Sequence, residues 1–322
     1  MRAAAILGPG CSAKNLKPFQ SAADELTTAG EFAAAGELTK IGWRIGVPAA
    51  ADHADVVLLF GGDGTIHRHL GQLVELGLPV LVVPAGSGND FARALGLRRV
   101  RDSLAAWRKF CSGGKNVRTI DLGLITPLDA GGTGAARDSD RSARYFASVA
   151  GVGLDGEVTR RANQLPRWLR GRGGYVLSLA PAIFTFAALP MKILTPAEER
   201  VSGSDEERET WITRSHQPTL LAAFANAPFY GGGMKIAPHA RLDDGVLDVC
   251  VVGGVDPFKL FYMFPAVYTG GHLNIREVEY FQSALARIET EHPLDVYADG
   301  EFVCRTPVEL SIQRAALRVV TV

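Results

Sequence analysis

The chain predicts an α/β fold in which an N-terminal doubly wound α/β domain is followed by a C-terminal antiparallel β-sandwich-like domain. Three observations predict it. Two continuous apolar runs, "DVVLLF" at 55–60 and "LPVLVVP" at 78–84, each end in a glycine-rich turn that leads into a helical pattern. Strand, glycine turn and helix therefore occur twice in succession, the layout of an open parallel sheet with helices on both faces. From about Thr119 the pattern changes to short apolar or alternating segments separated by turns such as "DDG" and "ADG".

Taken in order, 3–8 reads as a first strand, and 19–42 has helical composition. The run 55–60 is a strand buried on both faces, followed by a helix over 66–76. The next strand ends at Pro84, and a helix begins near Asp90. In the second half, β segments are expected at 119–125, 144–153, 218–228, 246–254 and 286–303. A mainly helical insert is expected from 158 to 191, and 129–144 and 197–217 read as polar loops. The expected division is 1–119, with 308–322 returning to it, and 120–307.

The totals narrow the classes. A length of 322 residues suits two domains, and a formal net charge of zero argues against a nucleic-acid binder. Cys11, Cys111, Cys250 and Cys304 are scattered with no CxxC pair, which reads as reduced thiols rather than a disulfide frame or zinc site. The opening "MRAAAILGPG" lacks the apolar core of a signal peptide. The longest apolar region, 175–190, is shorter than a membrane span and contains Pro181. The expectation is a cytoplasmic protein without a transmembrane segment, and the sequence leaves a homodimer open.

The stretch "LLFGGDGTIHRHL" at 58–70 carries the first chemical signal. Glycines after a buried strand let the backbone approach a ligand closely, and N–H groups with a helix N-terminus behind them suit phosphate oxygens. Asp63 among these glycines implies a cation beside bound phosphates, and Mg²⁺ is the cation that such a site takes. The competing reading is a tight strand–helix turn with a capping aspartate. No Gly-Lys-Ser/Thr follows, so this is no P-loop, and the spacing is not that of the dinucleotide GxGxxG fingerprint.

The motif resembles the nucleotide loop shared by NAD kinases, phosphofructokinases and the diacylglycerol kinase/sphingosine kinase family. Four further segments follow in that last family's order. They are "VVPAGSGNDFARALGL" from Val82, "IDLG" from Ile120, "NAPFYGGGMKIAPHARLDDGVLDV" from Asn226 and "YADGE" at 297–301. "SVAGVGLDGEV" from Ser148 also falls into place. The chain is identified on these residues as a member of the diacylglycerol kinase-like lipid kinase family. The resemblance implies an ATP- and Mg²⁺-dependent kinase that phosphorylates a lipid hydroxyl, with diacylglycerol or a related lipid as acceptor, working peripherally at a membrane surface. It implies that Gly61, Gly62, Asp63, Gly64 and Thr65 cradle the ATP phosphates, with Gly86, Ser87 and Asn89 completing the nucleotide site. Asp63 and Asp121 would organise the catalytic Mg²⁺. Glu301 would be the general base, and Asp244 with the backbone carbonyls of Arg241 and Val246 would hold a second, structural Mg²⁺. By spacing alone, "LDDG" and "ADG" are ordinary hairpin turns, Asp121 is a strand-end residue and Asp155 a turn residue.

Three departures from the family stand out. Gly8-Pro9 replaces the usual Asn-Pro, which leaves the register of Lys14 and Lys17 open. Arg68 takes the place of an acidic residue after "GGDGT", in what reads as the first turn of the helix, where a cation opposes the dipole. The polar loops 129–144 and 197–217 look inserted. His67 and His69 diverge on a helix and make a poor zinc pair, and His239 reads as a surface histidine. The basic, Trp168-containing run 160–175 and the apolar residues after it suit a lipid surface, or equally a core helix with a solvated flank. The rival functions are an NAD kinase-like kinase of a soluble hydroxyl and a non-catalytic lipid- or nucleotide-binding relative. An apolar lining would favour the lipid acceptor, and a polar groove the dinucleotide.

Overall fold

The structure is a computed structural model that describes residues 1–28, 41–128, 142–164, 178, 181–197 and 210–322. Most of loops 129–144 and 197–217, and much of the segment 160–175 with Trp168, lie outside the described residues. The chain divides into two compact units, Met1–Leu122 with Arg314–Val322, and Gly123–Gln313.

The strands, in chain order, are β1 (Arg2–Leu7), β2 (Gly42–Ile45), β3 (Val56–Gly61), β4 (Val80–Pro84), β5 (Val117–Pro127), β6 (Arg144–Phe146), β7 (Val149–Gly153) and β8 (Leu189–Pro196). They continue with β9 (Trp211–Ser215), β10 (Pro218–Ala225), β11 (Leu247–Gly253), β12 (Val278–Ser283), β13 (Leu285–Thr290), β14 (Asp295–Ala298), β15 (Glu301–Arg305) and β16 (Val308–Val320). The helices are α1 (Lys17–Thr28), α2 (Asp63–Leu76), α3 (Asp90–Ala94), α4 (Val100–Cys111), α5 (Leu154–Gln164) and α6 (Pro257–Met263).

In the first unit β1 pairs in parallel with both β2 and β3, and β3 pairs in parallel with β4. β16 adds to β4 through Val319 beside Val80. The resulting order 2-1-3-4 places its switch point between β1 and β3, where ligands bind in such sheets at the carboxyl ends of the strands. Every residue of β3 and β4 is buried, which is why these strands read as unbroken apolar runs. Trp107 of α4 donates its indole N–H to Phe19 O of α1 at 2.9 Å, and Phe19 meets Phe60 edge-on at 5.3 Å. Those contacts fasten both helices to β3.

The second unit is antiparallel. One sheet runs β15-β14-β7-β10-β11-β12, and the other runs β9-β8-β13-β16. Phe146, Val152, Ile193, Phe224, Val249, Ile288 and Leu310 fill one core. β10 has two buried faces. Ala222 and Phe224 enter that core, while Leu221, Ala223 and Ala225 enter a second one with Met234, Ile236 and Val267. The period-two alternation of side chains is therefore hidden, because both faces take apolar residues.

Several expectations are corrected. Helix α2 starts at Asp63, not near Ile66, because Gly62 serves as an extended N-cap and an acid at the first position suits the helix dipole. Gly42 belongs to β2 rather than to a helix. Leu189–Pro196 is a strand where a helical insert was expected to run on to 191. The run 144–153 is two strands, and α4, α6, β9 and β12 went unpredicted.

Candidate active site

Three loop beginnings meet at the carboxyl ends of β1, β3 and β4. The Gly8 N–H donates to Phe60 O at 2.7 Å, and the Ala85 N–H donates to Gly61 O at 2.9 Å. A Cβ on Gly8 would lie 2.6 Å from Thr65 Oγ1, and one on Gly61 would lie 2.6 Å from Thr65 Cβ. A Cβ on Gly86 would lie 2.5 Å from Gly62 Cα. None of these four glycines has a left-handed φ, so close packing rather than backbone freedom requires them. Thr65 occupies the space that a side chain at Gly8 would need in this chain.

The second loop is held by its own residues. Asn89 sits in the left-handed region at φ 55°, accepts from Gly86 N–H at 2.8 Å and donates to Gly86 O at 2.6 Å. Asp90 is 4% exposed and pairs with Arg93 at 2.8 Å. Arg93 also reaches Gly88 O at 3.4 Å. Sequence reasoning passed over this pair, although "NDFAR" carries it. Ser87 at the loop tip is exposed. Phe91 N–H donates to Asp63 Oδ1 at 3.1 Å and ties the two loops together. Gly64 and Thr65 lie in the first turn of α2, with Thr65 buried. Asp121 is buried, and its Oδ1 accepts from the N–H of Ala315, a residue at φ 52°.

Arg68 is the sixth residue of α2 and is exposed. It stands in the second turn, so the opposition to the helix dipole expected of it is removed, because that effect fades beyond the first turn. His69 Nδ1 lies 3.1 Å from Gln72 Oε1.

The other expected residues belong to the second unit. Glu301 opens β15 and is exposed. Asp299 and Gly300 before it have φ of 51° and 85°, a two-residue turn with both residues left-handed. Asp244 is exposed on the loop preceding β11, and its Oδ1 accepts from Val246 N–H at 3.3 Å. Arg241 on the same loop lies 3.9 Å from Asp243.

The second unit also contains a pocket that is almost wholly apolar. Leu154 and Val158 of α5, Ile183, Leu220, Val252, Leu260, Met263 and Phe264 line it, with Asp155, His272 and the Lys259–Glu277 ion pair at its polar points. Ile183 comes from the apolar stretch after Tyr175 that suits a lipid, whereas α6 was not expected, although a signal for it was present. Asp256 caps the helix by accepting from Phe258 and Lys259 N–H at 3.0 and 3.1 Å, and Pro257 occupies its first position.

Among the described residues, no three His, Cys, Asp or Glu side chains gather as a metal centre. The donors at hand are hard oxygens: the carboxylates of Asp63, Asp121 and Asp244, and backbone carbonyls. That donor set fits Mg²⁺, which binds one or two carboxylates with phosphates and water rather than a protein cage. No helix of the described residues is long and apolar enough to cross a membrane.

Residues 14–125 match the diacylglycerol kinase catalytic domain, and residues 148–321 match the YegS C-terminal NAD kinase beta sandwich-like domain. The chain belongs to the diacylglycerol kinase-like lipid kinase family, and it is an enzyme of that class, a phosphotransferase with a lipid alcohol as acceptor. It is 31% identical over 277 residues to a diacylglycerol kinase of Mycobacterium tuberculosis, covering 84% of this chain and 78% of the relative. A diacylglycerol kinase of Bacillus subtilis is 26% identical over 263 residues, covering 81% and 76%. The crystal structure of a diacylglycerol kinase from Bacillus anthracis superposes with a TM-score of 0.61 at 16% identity, covering 100% of this chain and 96% of the other. That likeness bears on the fold.

Proposed function

We propose that the enzyme transfers the γ-phosphate of ATP, with Mg²⁺, to the hydroxyl of diacylglycerol or a closely related lipid. The observation that carries the acceptor half is the apolar pocket of the second unit, whose wall of Leu154, Val158, Leu260 and Phe264 suits acyl chains and offers a dinucleotide little to bond to.

The nucleotide half rests on the first unit. Gly61, Gly62, Asp63, Gly64 and Thr65 form the phosphate cradle at the start of α2. Backbone N–H groups and the positive end of the helix face the phosphates there. Gly86, Ser87 and Asn89 complete it. Mg²⁺ would be held by Asp63 and Asp121 and would neutralise charge on the phosphate oxygens. A second ion would sit on Asp244 with the carbonyls of Arg241 and Val246, in a structural role.

Phosphoryl transfer has a loose transition state, so positioning and electrostatics supply most of the acceleration. Glu301 takes the proton of the acceptor hydroxyl, late in the transfer. Its exposure at the start of a strand supports that assignment, because a carboxylate committed to a buried ion pair could not do it. The enzyme reaches its acceptor as a peripheral, cytoplasmic protein. Replacing Glu301 by Gln tests the reading: turnover of diacylglycerol should drop ~10²-fold or more with ATP affinity unchanged. Turnover equal to the parent enzyme's would remove Glu301 from the base role.

A further inference from the structure

The turn that delivers Glu301 is anchored by a carboxylate with no part in the chemistry assigned so far. Asp299 Oδ2 accepts from Ala147 N–H at 2.8 Å, and Oδ1 accepts from Ser148 N–H at 2.8 Å and from Val149 N–H at 3.4 Å. The Asp299 N–H in turn donates to Val149 O at 3.0 Å. One turn residue thus holds three successive backbone donors that lie some 150 residues away in sequence. Beyond it, Ala298 pairs with Ala150, so the grip continues the β14–β7 ladder to the tip of the hairpin.

The identity of the residue is informative. A two-residue turn with both φ positive accepts Asn-Gly at least as readily as Asp-Gly. Asparagine would present an amide that can only donate at one of its two positions. Three N–H groups converging on both oxygens require an acceptor-only side chain, which is what a carboxylate provides. Turn geometry alone therefore does not explain the aspartate, whereas the cluster of donors does.

We infer that Asp299 is a positioning residue for phosphoryl transfer: by clamping the hairpin tip to the 147–149 backbone it fixes the place from which Glu301 acts. The inference rests on the reading of Glu301 as the base. Glu301 follows the turn directly, on β15, which pairs only with β14 among the described strands. With the clamp released, the tip is held chiefly by the paired strand behind it. Catalytic groups tolerate little of this, since a displacement of about 1 Å can cost ~10²-fold in rate.

Asp299→Asn keeps the turn preference and the size of the side chain while spoiling the clamp. The test compares the parent, Asp299→Asn, Glu301→Gln and the double variant, with ATP, Mg²⁺ and dioleoylglycerol in mixed micelles. A thermal melt of each shows whether the variant is folded. Asp299→Asn should lower kcat at least tenfold with KM for ATP unchanged, and should have almost no further effect in the Glu301→Gln background. Parental kcat in Asp299→Asn, or an equal loss whether or not Glu301 is present, would overturn the positioning role while leaving the base reading intact. Parental turnover in Glu301→Gln would overturn both.

Discussion

Gly62 and Gly86 lie backbone against backbone, and a Cβ added to either would come within 2.8 Å of the other's Cα. Gly62 follows β3 and Gly86 lies in the loop after β4, so their contact sets the spacing of the two glycine loops. Gly62 O also receives the Thr65 and Ile66 N–H groups at 2.9 and 3.1 Å, so any shift of Gly62 moves the start of α2.

Gly86→Ala should therefore push the loops apart. We expect a loss of ~1–3 kcal/mol in stability and at least tenfold in ATP affinity, measured by denaturant unfolding and calorimetric titration. Gly71→Ala is the control, because a Cβ there meets nothing within 4 Å. It should be neutral or stabilising by up to ~1 kcal/mol. Parental ATP affinity in Gly86→Ala would show that the spacing is unimportant.

Arg68 tests where a charge on α2 begins to matter. It lies five positions beyond Asp63, about 7.5 Å along the axis, and it is exposed. Arg68→Glu should change the KM for ATP by less than about threefold at moderate salt. A tenfold change would place the guanidinium within reach of the phosphates after all.

His272 should make stability depend on pH. It is 6% exposed, and because Ile236 O can only accept, its Nε2 must carry the proton in the 3.0 Å contact between them. Nδ1 is buried with no hydrogen-bond partner among the described residues. Burial pushes the imidazole pKa down, with the carbonyl contact opposing in part. The unfolded chain then binds more protons below about pH 6.5, so stability is complete above that value and is lost as pH falls through it toward the depressed folded pKa. Denaturant unfolding at pH 7.5 and 5.5 should show a steeper loss for the parent than for His272→Gln, with the one-proton slope bounded at ~1.4 kcal/mol per pH unit. Equal slopes would mean that His272 titrates as in the unfolded chain.

Sequence made the strand–turn–helix units legible because β3 and β4 are buried throughout and each leads into closely packed glycines. It also put Asp63, Asp121 and Glu301 in view through their motifs. The start of α2 was missed because glycine lowers helical propensity, yet Gly62 acts as the cap and Gly64 is carried by the first turn. β10 was found, but its double burial was hidden, since Ala222 and Ala223 look alike in sequence and face opposite cores. The pocket was legible only through the apolar stretch that holds Ile183, because the rest of its wall is assembled from α5, β10, β11, α6 and the segment around His272. Asp299 was read as a turn residue, because its partners lie some 150 positions away.

The hydroxyl that this enzyme phosphorylates belongs to a lipid. The most direct measurement is the initial rate of radiolabel transfer from γ-labelled ATP, with Mg²⁺, to dioleoylglycerol, sphingosine, ceramide and phosphatidylglycerol in mixed micelles, and to NAD in solution. Label should appear in the phosphorylated lipid, highest for dioleoylglycerol, with none in the dinucleotide. Label in the dinucleotide with every lipid unlabelled would contradict it.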